Sequence, residues 1–174
     1  PSMTAKKYET VMADGEEKPY EIKTDGDCSI FVFKSMADQF GKMSMFKVMS
    51  GTLKKDTVLT NSRTGGTEKA AHIYTLKGKK QTEVDSLCCG DIGMMSKLND
   101  TDTNDTLYVG TPVVYKPTEF PHPYMKKAVS AEAKGDEDKI STGIARLLDE
   151  DPTLVYENNS ETHQLTLSGI SDIH

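Results

Sequence analysis

Short β-type segments separated by turn-forming residues fill the first two thirds of this chain. Each segment is rich in β-branched, aromatic or methionine residues, and the stretches between them carry Asp, Ser and Gly. The predicted strands are residues 29–33, 43–49, 57–60, 68–76, 91–98 and 111–115. The strands are regularly spaced with no helical period between them, and closing such a set removes its exposed edges. The sequence therefore predicts a β-barrel, with a bulge in the strand that contains residues 42–48.

A different pattern begins after a cluster of prolines. Four of the seven prolines fall between residues 112 and 123, a spacing typical of a stiff linker. The elements predicted after it are a strand at 124–133, a helix at 136–149 and strands at 153–157 and 164–168. This β-α-β-β order predicts part of a ferredoxin-like unit, one that lacks its second helix and fourth strand. The fold class is therefore mainly β, a barrel followed by a partial α+β unit.

The predicted helix has a clear apolar stripe and clear ends. Asp136 is the expected N-cap, and Pro152 prevents the helix from continuing past Asp151. The stripe consists of Ile140, Ile144, Leu147 and Leu148. Three consecutive acidic residues, 149–151, oppose the helix dipole at its C-terminal end. Their presence suggests a purpose other than the stability of the helix.

Composition excludes several classes of protein. The 174 residues carry a formal net charge of −6, which excludes a globally basic nucleic-acid coat. Neither an apolar run of about 18 residues nor a signal peptide is present, so we expect a cytoplasmic protein with no membrane partner. Three cysteines, two of them adjacent, do not form a disulfide framework. Because the first residue is Pro1 and not an initiator methionine, we expect the chain to be a piece of a longer protein.

Basic residues are concentrated in one part of this acidic chain. Residues 34–80 contain 10 Lys or Arg against 3 Asp or Glu, a local charge of +7. A field of this sign attracts a phosphate backbone in a salt-dependent way. The same lysines are also compatible with solvated strand edges that discourage edge-to-edge pairing. The charge pattern alone leaves both interpretations open.

A search for catalytic and metal-binding motifs finds none. Around Gly41-Lys42, Met36 and Met43 stand where a phosphate-binding loop needs Gly and Ser or Thr. The four histidines are scattered without ligand spacing, so we predict no metal site. No G-x-S-x-G elbow is present, so we predict no catalytic residues. The nine methionines are expected mainly to fill the core.

Several blocks, in the right order and at the right spacing, resemble the second domain of elongation factor G. They are Phe31-Val32-Phe33-Lys34, the run from Gly41 to Leu53, Gly90-Asp91-Ile92, and Thr101 to Leu107. Three later blocks are similar to the start of that factor's third domain. They are Glu119-Phe120-Pro121, Glu150-Asp151-Pro152-Thr153, and the run from Ser168 to His174.

This resemblance implies both an architecture and a function. It implies a translation-factor β-barrel over residues 21–118, a partial ferredoxin-like domain over 119–174, and an N-terminal extension or linker over 1–20. The parent protein would be a ribosome-binding GTPase acting in translocation, with GTP and magnesium bound by a G domain that this chain lacks. The chain itself would be monomeric and non-catalytic, would bind no cofactor, and would contact the G domain in cis and small-subunit rRNA and proteins. The implied contacts to rRNA phosphates are Lys34, Gln39, Lys42 and Lys47.

The chain departs from the usual pattern of that family at four places. Thr75 to Lys80 replaces a Met-His-Ala segment, Asn104 and Ser171 each stand where Gly is usual, and Ile170 stands where Met is usual. The Gly-Lys pattern in the first of these resembles the bacterial elongation-factor-G-like paralogue group. Two alternatives remain: the same domains of a tetracycline-type ribosomal protection protein, or a stand-alone module that binds a protein partner through a Met-rich surface.

Overall fold

The computed structural model describes residues 7–38, 41–78, 80–131, 133, 135–159 and 164–174. The chain divides into two compact units, Pro1–Thr118 and Glu119–His174. The first unit contains β1 (Tyr8–Ala13), β2 (Glu16–Glu21), β3 (Ser29–Asp38), β4 (Gly41–Ser50), β5 (Thr52–Lys54), β6 (Val58–Asn61), β7 (Thr67–Lys69), β8 (Ile73–Lys77), β9 (Lys80–Val84), β10 (Ser86–Cys88), β11 (Ile92–Ser96) and β12 (Thr106–Tyr108). The second contains β13 (Met125–Val129), α1 (Glu137–Glu150), β14 (Val155–Asn159) and β15 (Gln164–Gly169).

A curled antiparallel sheet forms the body of the first unit. Its strand order is β7-β6-β12-β3-β4-β11-β8-β9. Alternating residues of its long central strands, such as Ile30, Val32, Phe46 and Val48, are fully buried inside the curl. Leu53, Leu59, Ile73 and Leu107 complete this core from the surrounding strands. The predicted β-barrel is confirmed.

A short ribbon of β5 and β10 bridges the two edges of the curled sheet. The strands β5 and β10 pair with each other in antiparallel register. The backbone N–H of Lys55 donates to the carbonyl of Asp85 at 2.8 Å, next to β9, and the N–H of Asp56 donates to the carbonyl of Ala70 at 2.8 Å, next to β7. These bonds satisfy backbone groups that would otherwise face solvent at the edges.

The paired strands β3 and β4 contain the bulges that bend the sheet. Their register shifts between Ser29 and Ile30 and again between Val32 and Lys34. The shifts leave Met49 as the extra residue on β4 and Phe33 as the extra residue on β3. The bulge predicted for residues 42–48 therefore falls one residue later on the same strand, with a second one on its neighbour.

Two sequence-based strand assignments and the predicted extension differ from the structure. The segment 68–76 forms two strands, β7 and β8, because the chain turns at Ala70 and Ala71 between them. The segment 111–115 contributes one isolated bridge, between Val11 and Tyr115. Residues 1–20 are expected to be an extension or linker, but the chain from residue 8 to residue 21 forms the β1–β2 hairpin, whose Val11 and Tyr20 side chains pack beside Met49 and Tyr115.

The departure at Asn104 has a structural explanation. Asn104 has a positive φ of 78°, a conformation that Gly and Asn tolerate best. Its side-chain amide donates to the carbonyl of Thr118 at 3.0 Å and accepts from the N–H of Thr118 at 2.9 Å. Gly at this position would adopt the same turn but could not hold Thr118, the last residue of the first unit.

We expect Asn104→Ala to lower the free energy of unfolding by about 1 to 2 kcal/mol, because it combines a strained positive φ with the loss of two hydrogen bonds. Asn104→Gly should cost less, since it loses the bonds but relieves the backbone. Urea unfolding of both variants measures the difference. A glycine variant less stable than the alanine variant would contradict this account.

The second unit has the predicted β-α-β-β order. Its sheet has the antiparallel order β13-β15-β14, with Thr166 and Ser168 of β15 buried. The helix α1 buries Ile144, whereas Leu147 is about half exposed. No helix in the described part of the chain is long and apolar enough to cross a membrane.

The ends of α1 explain part of the acidic run. Asp136 occupies the N-cap position, but its carboxylate accepts from Lys139 Nζ at 2.7 Å and does not cap the helix. At the other end, Asp151 Oδ1 accepts from the N–H and Oγ1 of Thr153, and Asp151 Oδ2 lies 2.8 Å from His174 Nε2. The N–H of Ile170 donates to His174 Nδ1, so the ring proton is on Nε2 and points to Asp151. The carboxylate of Asp151 thus anchors the end of the chain.

Candidate nucleic-acid interface

Lys34 and Lys47 lie on the outer face of the barrel, on adjacent strands. Lys34 is opposite Met45, and Lys47 is two residues further along β4, so strand alternation places both on one face. Diagonal neighbours of this kind have Cβ atoms somewhat less than about 7–8 Å apart, within reach of long side chains. The side chain of Lys34 is exposed. These two predicted contacts are therefore within reach of one partner.

Lys47 borders a groove of about 480 Å³ on this face. Its Nζ lies 3.7 Å from Oε1 of Glu9, a side chain only 13% exposed. The groove is otherwise mostly apolar and aromatic, lined among others by Phe31, Phe33, Ile92 and Tyr115. The charge of Lys47 is therefore partly offset by a carboxylate from the β1–β2 hairpin.

Lys42 is separated from Lys47 and faces a different set of residues. The five-residue interval places the two side chains on opposite faces of β4. Lys42 Nζ donates to Oδ1 of Asp102 at 2.5 Å, and its side chain is 24% exposed. The structure does not bring Lys42 together with Lys34 and Lys47. Gln39 lies outside the described residues.

Ion pairs neutralise much of the basic zone between residues 34 and 80. Lys55 pairs with Glu83 at 2.8 Å, and Lys69 pairs with Asp56 at 2.7 Å. Hydrogen bonding to Lys55 is the main reason that the pKa of the Glu83 carboxyl is lowered. Together with Lys42, Lys47 and Arg63, five of the nine basic residues that the structure describes in this zone have a carboxylate partner. Summing charge along the sequence therefore overstates the positive field of this zone.

Arg63 is the centre of a polar network that motif analysis did not predict. Its Nε and Nη2 donate to the two oxygens of Asp105 at 2.7 and 2.8 Å. Asn61 Nδ2 and the N–H of Asp102 also donate to Asp105. Burial alone would raise the pKa of Asp105, but these bonds outweigh it and the pKa is lowered. Arg63 therefore joins the end of β6 to the loop before β12, and its buried partner Asp105 belongs to the block from Thr101 to Leu107 that resembles elongation factor G.

Two family models match the chain in succession. Elongation factor G domain 2 matches residues 27–110, and Elongation Factor G, domain III matches residues 120–174. The boundary between the two matches falls where the structure divides into two units.

Known proteins from three bacteria are similar to this chain. An elongation factor G-like protein of Thermotoga maritima is 34% identical over 98% of the chain and 25% of its own length. Elongation factor G of Karelsulcia muelleri is 36% identical over 84% of the chain and 21% of its own length. A crystal structure of a Thermus thermophilus protein matches with a TM-score of 0.76 and 26% identity, over 86% of this chain and 23% of that one.

The chain thus spans about a quarter of the length of the curated relatives that it matches. Its barrel and its β-α-β-β unit each coincide with one of the two family models. This chain belongs to the elongation factor G family, of which it carries domain II followed by domain III.

Proposed function

We propose that this chain is the ribosome-docking part of an elongation-factor-G-like translational GTPase that acts in translocation. The observation that carries the proposal is the succession of domain II and domain III along one chain. GTP and magnesium would bind to a G domain in the parent protein, and this part would catalyse no reaction. The partners would be the small-subunit rRNA and proteins in the cytoplasm and, in cis, the G domain.

The outer face with Lys34 and Lys47 is the surface that we propose for rRNA contact. Phosphate groups bind lysines on a sheet face without needing a pocket. The pair of Lys47 with Glu9 does not exclude this role, since partly exposed ion pairs contribute only about 0 to 1 kcal/mol and can exchange partners. Lys42, less exposed and closer to its carboxylate, is the weaker candidate.

The packing of most of the clustered methionines argues against a protein-binding module as the alternative. Met43, Met49, Met94 and Met95 are each less than 9% exposed and fill the interior. Of this group only Met36, at 40%, is well exposed, and one exposed methionine does not form a Met-rich docking surface. Both curated relatives carry elongation-factor names, which favours a role in elongation over that of a tetracycline-type ribosomal protection protein.

Binding of the 174-residue chain to small ribosomal subunits tests the proposal. We expect the affinity, measured by filter binding between roughly 50 and 200 mM salt, to fall as salt rises. Replacing Lys34 and Lys47 together with Gln should reduce the slope of log affinity against log salt by about 1 for each lysine. Gln is preferable to Glu here, because it removes the charge without adding repulsion to Glu9.

The control is Lys18→Gln combined with Lys23→Gln. It removes the same charge from the region of the β1–β2 hairpin, where Asp14, Glu16 and Glu17 dominate the field. We expect this variant to keep the slope of the unmodified chain. An affinity that stays constant across the salt series would contradict the proposed function.

A further inference from the structure

Three of the four residues at the tip of the β8–β9 hairpin are lysines. Lys77 ends β8 and Lys80 begins β9, and the two are direct cross-strand partners. Both side chains are exposed. Gly78, with a φ of 62°, follows Lys77, and Lys79 completes the turn in the sequence but lies outside the described residues.

Folding does not explain these lysines. Like charges directly opposite each other on a β-ladder are destabilising. The turn needs a residue with positive φ, which Gly78 supplies, and it has no need of lysine beside it. Protection of an exposed edge could account for Lys80 on the edge strand β9 and also for Lys77, since β8 pairs with β11 only at Ile73 and Tyr74. It does not call for two lysines directly opposite each other.

The lysines at the tip are not among the five basic residues of the zone that pair with a carboxylate. Within the part of the chain that the structure describes, no ion pair joins Lys77 or Lys80 to a carboxylate. The carboxylate of the same hairpin, Glu83, is occupied by Lys55 at 2.8 Å and by His72 at 2.9 Å. Glu83 lies opposite Tyr74, three positions from the tip, and its partners are Lys55 and His72 and not the lysines of the tip.

The chemistry of the tip suits a phosphate backbone. Its exposed groups are flexible ammonium groups, which bind phosphates as point charges. Of the apolar residues of the hairpin, Ile73 is buried in the barrel core, Val84 packs against that core, and Leu76 is partly buried. The hairpin's one aromatic side chain, Tyr74, lies three residues from the tip and stacks on His72. The tip therefore lacks the aromatic platform that base recognition requires.

We propose that the tip of the β8–β9 hairpin binds the phosphate backbone of RNA through Lys77 and Lys80. This inference rests on the proposed function, in which the barrel docks on ribosomal RNA. It adds a second contact, carried by a segment in which this chain departs from the usual family pattern. The segment from Thr75 to Lys80 then changes how the barrel binds RNA without changing the fold.

The test combines Lys77→Gln with Lys80→Gln in the 174-residue chain and measures binding to small ribosomal subunits across the same salt series. We expect the slope of log affinity against log salt to fall by about 2, one for each phosphate that the variant no longer binds. Lys77→Arg with Lys80→Arg keeps both charges and should keep the slope. The double Gln variant should melt at the same or a slightly higher temperature, because it removes a repulsive pair.

The outcomes separate this inference from the proposed function. If Lys34→Gln with Lys47→Gln lowers the slope and the hairpin variant does not, the hairpin contact is overturned and the proposed function stands. If the hairpin variant alone lowers the slope, the tip is the principal contact. If the unmodified chain does not bind, or binds without salt dependence, both fail. The Lys18→Gln and Lys23→Gln control should behave as the unmodified chain does, and a matching fall of the slope there would overturn a local contact.

Discussion

Replacing Asp105 with Ala should lower the free energy of unfolding by about 3 kcal/mol. The side chain of Asp105 is 4% exposed and accepts hydrogen bonds from Arg63, Asn61 and the N–H of Asp102. Its removal leaves the fully buried amide of Asn61 and the backbone of Asp102 with fewer acceptors, and buried polar groups without partners are destabilising. We expect the lower end of the range for a broken buried pair, because Arg63 is half exposed and can be solvated. Urea denaturation measures the loss.

Asp102→Ala is the matched control, since it removes a carboxylate from the same loop. Asp102 is 55% exposed and pairs with Lys42 and Arg63 near the surface. An exposed pair contributes about 1 kcal/mol at most. If both variants lost the same free energy of unfolding, the burial of Asp105 would not be the reason for its contribution to stability.

The difference between the unmodified chain and Asp105→Asn should depend on pH. Burial raises the pKa of Asp105, but the hydrogen bonds from Arg63, Asp102 and Asn61 lower it by more than burial raises it. Its pKa in the folded state therefore lies below its value in the unfolded state. The stabilisation is therefore fully present above the unfolded pKa of about 3.9 and is lost as the pH falls through the folded pKa. The free energies of unfolding of the unmodified chain and of Asp105→Asn should differ by the same amount at about pH 7 and at about pH 5. Below about pH 4 this difference should be smaller.

Strong local patterns made part of the fold predictable. The strands β3, β4, β6 and β11 have runs of β-branched, aromatic or Met residues, and α1 has a 3.6-residue apolar period. The strand β12 has β-branched and aromatic residues but is only three residues long, and it is placed by pairing with the distant strands β3 and β6. The polar strand β9 has no such pattern. The β1–β2 hairpin had a usable signal, Asp14-Gly15 between two segments with alternating Tyr, Val and Met residues.

The candidate interface was harder to predict for a physical reason. The acidic partners of Lys42, Lys55 and Arg63 lie 60, 28 and 42 residues away in the sequence. An antiparallel barrel brings such distant residues into contact, so the charge of a sequence window does not give the local field. Lys77 and Lys80 lie directly opposite each other, and no carboxylate in the described part of the chain pairs with either of them.

Replacing Phe46 with Ala should destabilise the barrel by about 3 to 5 kcal/mol. Phe46 is fully buried and is directly opposite Gly93 on β11. A Cβ on Gly93 would come within 2.8 Å of Phe46 Cζ and closer still to Leu87 Cδ1, so the ring occupies the space that a side chain at 93 would take. Because Gly93 has no side chain that could collapse into the cavity, we expect a loss in the upper part of the range.

A double-mutant cycle with Gly93→Ala tests this packing directly. In the unmodified background, Gly93→Ala should destabilise by about 1 to 3 kcal/mol, because the new methyl group overpacks the core. In the Phe46→Ala background the ring is gone and only the end of Leu87 must move, so the same substitution should cost less or become stabilising. Thermal or urea unfolding of the four proteins gives the coupling. Strictly additive losses would show that the ring of Phe46 and the absent side chain at Gly93 do not fill one shared space, and that the interior of the barrel rests on other contacts.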